Sequence, residues 1–336
     1  MPIAIKSRKY SEEDCNFIRQ EVKKLKEQDV IEPSDSPWRA QVLVTKDERH
    51  KKRMVVDYSQ TINRFTHLDA YPLPRIYETV ENIAKYQAYS ALDIKTANHQ
   101  IPLREEENYT GFEADRKLHH FNRIPFGVTN GVAAFQRTID TIISENKLQG
   151  MFAYVDNVTV CDMNQHEHDK NLKRFLDVTR KYNLELNESK SVYSTKLLNL
   201  LGYTVSQGTI KPDPDRLKPL LELPVPKSKS ELERVLGMFS YYAHWIQNFP
   251  TKIHPLVKNK SFPLSQEAHN TFEILKQEIA KAVLVTVDPK LPLVVETDAS
   301  DFAIAATLNQ NGRPFAFFTR TLAGGGCLNP PVEKEA

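Results

Sequence analysis

Apolar positions Cys15, Ile18, Val22 and Leu25 recur at three- and four-residue intervals as far as about Gln28, so the spacing predicts an amphipathic helix with a solvated charged face. Ser11-Glu12-Glu13-Asp14 in front of it resembles a capping box. After a Pro-containing loop over 34–38 the period shortens. Residues 41–46 and 54–58 read as strands around a basic run of Lys46, Arg49, Lys51, Lys52 and Arg53. The segment 68–75 reads alone as an extended Pro-rich linker, and it leads into a helix carrying Ile76, Val80 and Ile83. Residues 88–95 form a mostly apolar strand running into Asp93, and 109–112 is expected to pair with 119–123. The loop 125–130 then enters a helix bearing Ala133, Phe135, Ile139 and Ile142, where Phe135 reads as core.

Tyr154-Val155-Asp156-Asn157 lies between Met151-Phe152-Ala153 and Val158-Thr159-Val160, which suggests a tight hairpin with a carboxylate at its tip. Asp and Asn are favoured in such turns because they tolerate positive φ, so a plain solvent-exposed hairpin stays open on local chemistry. The Asp93 strand adds a second carboxylate. One at a strand end beside one at a hairpin tip can share divalent cations. Two such cations about 3.5 to 4 Å apart serve in-line phosphoryl transfer, one activating the attacking oxygen and one steadying the leaving oxygen.

Beyond the hairpin, His166 and His168 are separated by one residue and do not share a helix face, so an exposed helix start is expected there rather than a metal site. Leu172, Phe175, Leu176, Thr179 and Tyr182 mark the buried side of the helix that follows. Prolines in 211–215 and 223–226 punctuate a boundary. Ser228-Lys229-Ser230-Glu231 opens a helix whose apolar side is expected to run through Leu232, Val235, Leu236, Phe239, Tyr242, Trp245, Ile246 and Phe249, and another carries Phe272, Leu275 and Ile279. From Leu291 the period becomes two. Residues 291–297, 302–308 and 314–319 read as strands, with Asn311-Gly312 as a hairpin turn.

A chain of 336 residues has room for two or three domains, and 40% apolar with 26% charged residues describes a soluble globular protein. A formal net charge of +2 does not announce a polyanion partner, so any nucleic-acid surface must come from local clustering. Cys15, Cys161 and Cys327 show no paired spacing, which argues against a disulfide framework or a zinc site and fits a reducing compartment. The N-terminus lacks the apolar core of a signal peptide and no apolar run reaches 18 residues, so an intracellular protein without a membrane partner is expected.

The segment from Leu92-Asp93-Ile94-Lys95 to Gln100-Ile101-Pro102-Leu103, with Pro125-Phe126-Gly127-Val128-Thr129-Asn130 and Phe135-Gln136-Arg137, resembles the reverse transcriptase of gypsy-like LTR retrotransposons. The resemblance runs from about residue 8 to the C-terminus. It implies an α+β right-hand polymerase with an antiparallel palm sheet. Fingers and palm would take 1–210, the fingers being discontinuous at about 1–90 and 104–130, with a helical thumb or connection over 211–290 and a truncated ribonuclease H-like α/β fragment over 291–336. It also implies that Asp93 and Asp156 hold two Mg²⁺ ions, with Mn²⁺ as a substitute, and that Asn157 and Lys190 belong to the catalytic set, Lys190 near the reacting phosphate. Lys46 and Arg53 would hold the incoming triphosphate, a guanidinium through its planar fork of donors and a lysine as a compact charge. Asn98, Phe126 and Gln136 would line the nucleotide pocket, and the turn at 200–203 would grip the primer end. Asp298 and Glu335 would be the first two ligands of the ribonuclease H remnant, whose later ligands the chain does not supply, so that activity is not expected. Implied partners are an RNA or DNA template with its primer and deoxynucleoside triphosphates, with a homodimer left open. The implied location is a cytoplasmic virus-like particle or the nucleus.

The chain departs from the family at functional positions. Asn157 stands where a second aspartate is usual, keeping one carbonyl ligand and losing a charge. A supporting role there makes the loss about 10- to 100-fold, whereas a direct ligand role could abolish activity. Asn98 stands where an aromatic residue screens out the 2′-hydroxyl, which implies looser sugar selection. Val132 replaces a usual proline, a change with no chemistry to assign. Two readings result: a two-metal nucleotidyltransferase impaired by Asn157, and a decayed or domesticated relative that binds nucleic acid, or a protein partner, without polymerising.

Overall fold

The Ser11 hydroxyl accepts the Asp14 amide and starts the helix Glu12–Glu27, with three acidic residues in the first turn and Lys24 and Lys26 in the last, each sign complementing the helix dipole. In the computed structural model, residues 2–46, 51–103, 107–286, 291–299 and 303–321 are described, and they form an α+β chain. Arg49 and Glu335 lie outside them. Over the described residues the chain divides into two compact units, drawn from Met1–Pro74, Ser90–Val160 and Asp169–Tyr193, and from Arg75–Tyr89, Cys161–His168 and Ser194–Ala336.

In the first unit, Ile18 and Val22 of that helix pack against Val30, Ile31, Ala40, Val42, Val56, Tyr58, Phe112 and Phe121. Beneath them runs a five-stranded sheet in the order Ile31–Pro33, Lys117–Phe121, Phe112–Ala114, Ala40–Lys46, Lys52–Asp57. Lys52, at the hairpin's second strand, pairs with Glu13 at 2.8 Å and Asp14 at 2.6 Å, which ties the hairpin to the helix. The expected strand at 109–112 starts later than its composition suggests. Glu107–Thr110 is a 3₁₀ turn, and the Thr110 hydroxyl accepts the Phe121 amide at 2.8 Å in place of a strand carbonyl. Gly111 makes the crossing into the sheet, where a Cβ would collide with the Trp38 carbonyl oxygen.

A second core holds the strands that carry Asp93 and the 154–157 hairpin. Leu92, Ile94, Ala97, Phe135, Ile139, Leu148, Val158, Val160 and Phe175 pack together, each large side chain contributing about 1.5 to 3 kcal/mol by leaving water. The sheet concerned has the order Met151–Tyr154, Asn157–Asp162, Ala88–Asp93, Val192–Thr195, and Phe135 and Ile139 come from the helix Gly131–Glu145. Phe135 is 1% exposed, a core residue as its spacing predicts.

In the second unit, the stripe from Leu232 to Phe249 is not one helix. Lys229–Tyr241 ends in a 3₁₀ turn at Ala243–Trp245, Asn248 takes φ 54°, and Phe249–Lys258 begins with a proline in its first turn. Proline cannot donate into a continuing helix and asparagine tolerates the left-handed turn, so the break falls there. The helix starts at Gln165 with His166 exposed as expected, but His168 is buried, with Gln165, three residues earlier on the same face, 3.4 Å from its Nδ1. Val294–Ala299, Ala303–Gln310 and Arg313–Thr321 form an antiparallel three-stranded sheet, and Asn311 and Gly312 turn with φ 50° and 70° as the dipeptide predicts. Among the described residues, no helix is long and apolar enough to cross a membrane.

Two histidines of the first unit make its stability pH-dependent. Burial pushes His119, which is 1% exposed and packs against Phe112, down to about 4, and burial with repulsion from Arg123 does the same to His99. A histidine lowered from about 6.5 binds its proton in the unfolded chain before it does so in the folded one. Stability is therefore intact above pH 6.5 and falls as the pH drops from 6.5 towards 4. Chemical denaturation at pH 7 and pH 5 should show a smaller difference for His119→Leu than for the wild type; an equal difference would remove His119 from this explanation.

Candidate active site

Val158 and Val160 are fully buried on one side of the hairpin and Tyr154 faces Asn157 across it, so only Val155 and Asp156 are left to make the turn. The positive φ falls on Val155, at 52°, one residue before the Asp and Asn whose chemistry suggested a turn. A β-branched residue in the left-handed region costs about 1 to 3 kcal/mol and persists only where its surroundings over-determine it. Here the Val155 amide donates to Gln136 Oε1 at 2.8 Å, and Gln136 Nε2 donates to the Ala153 carbonyl at 3.2 Å and to Asp140 Oδ1 at 3.0 Å. Gln136 is fully buried beneath the turn.

The strand Ala88–Asp93 brings the other acidic residue alongside. The Ile94 amide donates to the Asp156 carbonyl at 2.7 Å, so the residue after Asp93 is bonded to Asp156 itself. Asp93 is pinned from its other edge as well. Its carbonyl accepts the Asn187 amide at 2.7 Å, its amide donates to Ser191 Oγ at 3.2 Å, and that hydroxyl donates to the Asn187 carbonyl at 2.9 Å. Its side chain is 13% exposed, and the Lys190 ammonium, mostly in solvent, lies 3.6 Å from its carboxylate. Asn157 turns its amide nitrogen to Asp156 Oδ1 at 3.0 Å, presenting a donor to the oxygen that a cation would use.

After Asp93, Thr96 adopts φ 43° and leads into the 3₁₀ turn Ala97–Gln100, which leaves Asn98 7% exposed. A Cβ added at Gly131 would lie 3.4 Å from the Asn98 amide nitrogen, so the side chain faces the start of the helix Gly131–Glu145. Phe126 is exposed, its ring 4.8 Å from that of His99. The structure does not bring Lys46 and Arg53 onto one face. Lys46 stands opposite Lys52 and Arg53 opposite Thr45, so the two side chains leave the ladder on opposite sides, Lys46 on the side of Glu13 and Asp14. In the second unit, Asp298 accepts a hydrogen bond from Asn248 Nδ2 at 2.6 Å. Glu335 lies outside the described residues. Sequence reasoning missed Asn187 and Ser191, which hold Asp93, and the place of Gln136 under the turn. A lone amide on the apolar face between Phe135 and Ile139 is the signal that could have found the last.

Among the described residues, no cluster of three or more His, Cys, Asp or Glu is placed to hold a metal ion. Asp93 and Asp156 nevertheless fit a small dication. Mg²⁺ commonly takes one or two protein carboxylates and fills its octahedron with water and substrate phosphate. The Lys190 ammonium and the Asn157 amide both reduce the negative field that such an ion would meet.

Residues 32–205 match the family described as reverse transcriptase (RNA-dependent DNA polymerase), and residues 264–336 match the RNase H-like domain found in reverse transcriptase. The chain is 31% identical over 99% of its length to the retrovirus-related Pol polyprotein from transposon opus of Drosophila melanogaster, and 29% identical over 91% to that from transposon gypsy of the same organism. It spans 36% and 32% of those polyproteins, about a third of their length. A foamy viral protease-reverse transcriptase solved in complex with double-stranded DNA superposes on all of this chain with a TM-score of 0.87 at 20% identity, the chain covering 60% of that protein. The foamy viral enzyme solved with an RNA/DNA hybrid gives 0.82 over 99% of this chain and 46% of that one, also at 20% identity. The match over residues 32–205 takes in Asp93, Asp156 and every residue that holds them, and the chain belongs to the reverse transcriptase (RNA-dependent DNA polymerase) family.

Proposed function

We propose that this chain is an RNA-directed DNA polymerase that extends a primer on an RNA or DNA template with deoxynucleoside triphosphates. The observation that carries the reading is the hydrogen bond from the Ile94 amide to the Asp156 carbonyl, which sets two acidic residues distant in sequence side by side. Asp93 and Asp156 would hold two Mg²⁺, or Mn²⁺ in their place, which supply Lewis-acid activation of the primer hydroxyl and charge neutralisation at the phosphates. The primer 3′-oxygen gives its proton to solvent water and bonds to the α-phosphorus as the bond from the α-phosphorus to the bridging oxygen of the β-phosphate breaks, pyrophosphate leaving with that electron pair. Lys190, whose ammonium already lies beside Asp93, supplies a proton to the departing pyrophosphate. Arg53 binds the triphosphate through its planar fork of donors while Lys46, on the other face of the hairpin, adds only its longer-range positive charge, and Phe126 and Asn98 line the pocket for the base and sugar. The double-stranded DNA and RNA/DNA hybrid seen with the foamy viral enzymes support duplex nucleic acid as the partner here, bound largely through its backbone.

A second reading is favoured by one observation, the Asn157 amide donating to Asp156 where a further carboxylate is usual: a relative that grips nucleic acid and no longer polymerises. Extension of a primer on homopolymer RNA, first with Mg²⁺ and then with Mn²⁺, separates the two. Polymerase action requires incorporation that vanishes in Asp93→Ala and rises about 10- to 100-fold in Asn157→Asp. Tight template binding with no extension in either metal, for wild type and Asn157→Asp alike, would establish the second reading.

A small side chain at position 98 leaves room for a 2′-hydroxyl. Asn98→Phe is expected to raise the preference for deoxy- over ribonucleoside triphosphates, read as the ratio of kcat/KM values. An unchanged ratio would take Asn98 out of the sugar pocket.

A further inference from the structure

We propose that Gln136 is a positioning residue, a buried amide clamp that holds the strained Val155 turn and thereby fixes where the Asp156 carboxylate sits. The proposal rests on the polymerase reading for its catalytic consequence. Three hydrogen bonds of the amide, both of its donors included, are made inside the protein. Oε1 accepts the Val155 amide, which can only donate, and Nε2 serves the Ala153 carbonyl and Asp140 Oδ1, which can only accept, so the orientation of the side chain is dictated by its surroundings. With no exposed surface, Gln136 has no face to offer a nucleotide.

Behind the clamp stands a second tier. Asp140 Oδ2 accepts the Tyr71 hydroxyl at 2.7 Å, and the Tyr71 ring lies 4.9 Å beneath the guanidinium of Arg137. Arg137 Nη2 lies 2.7 Å from both oxygens of Asp69. Asn130 completes the tether, accepting the Asp69 amide at 3.0 Å and donating to the His67 carbonyl at 2.8 Å. The segment around 67–71 is thus fastened along the helix Gly131–Glu145, and its tyrosine fixes Asp140, which fixes Gln136, which fixes the turn. Without the clamp the Val155 amide loses its acceptor while the left-handed strain remains, so the turn relaxes and Asp156 moves with it.

Gln136→Leu keeps the volume and removes the bonds. Hydrogen exchange at the Val155 amide is expected to quicken roughly 3- to 10-fold. The kcat for incorporation should fall about 10- to 100-fold while the KM for nucleotide and the Kd for template stay as in wild type. Adding Val155→Gly, which takes φ 52° without strain, should restore most of that kcat. Tyr71→Phe lies outside the core, and should quicken the same exchange to a smaller extent; it decides the matter if Gln136→Leu does not fold. Wild-type exchange at Val155 in these variants, a change spread along the whole helix, or a kcat loss that Val155→Gly does not reverse would overturn the clamp. If the wild type incorporates nothing, the polymerase reading fails by itself, and exchange at Val155 alone decides whether Gln136 holds the turn.

Discussion

One backbone hydrogen bond, from the amide after Asp93 to the carbonyl of Asp156, is the join on which the site depends. It is a short bond in the middle of a packed layer. Leu92 and Ile94 on one strand, and Val158 and Val160 on the other, are at most 1% exposed and cannot leave that layer without losing their burial. Hydrophobic packing supplies the energy and the hydrogen bond supplies the register. Because strand side chains alternate between faces, a slip of one residue would send Asp93 to the opposite side of the sheet from its partner.

Charge at the site is sparser than its geometry requires. Two acidic residues lie on neighbouring segments, an ammonium lies 3.6 Å from the carboxylate of one, and an amide donates to that of the other. The lysine is mostly in solvent and is held there weakly, since an exposed ion pair is worth little. Asn157 is exposed as well, and one of its amide hydrogens is directed at its neighbour's Oδ1. The same residue that keeps the shape of the hairpin thus lowers the charge available for a cation.

The hairpin, the Asp93 strand and the helix beginning at Gly131 were legible because each follows a period of two or of about 3.6 residues with apolar positions on one side. Phe135 was legible as core for the same reason. Position of the turn was not, because composition points to Asp156 and Asn157 while the left-handed residue is Val155, held by a glutamine far along the chain. Lys46 and Arg53 lie on the hairpin that spacing predicts, yet which face each takes depends on cross-strand register, which composition does not display. The break at Asn248 was hidden because apolar residues continue at helical spacing through it. Backbone hydrogen bonds to Asn187 and Ser191 leave no periodic trace at all.

The most direct test of the central claim is anomalous diffraction from crystals of the chain with primer, template and Mn²⁺. A manganese peak within about 2.2 Å of oxygens from both Asp93 and Asp156, absent in Asp93→Ala, is the predicted result. Manganese bound elsewhere, or at one carboxylate with the other turned away, would contradict it.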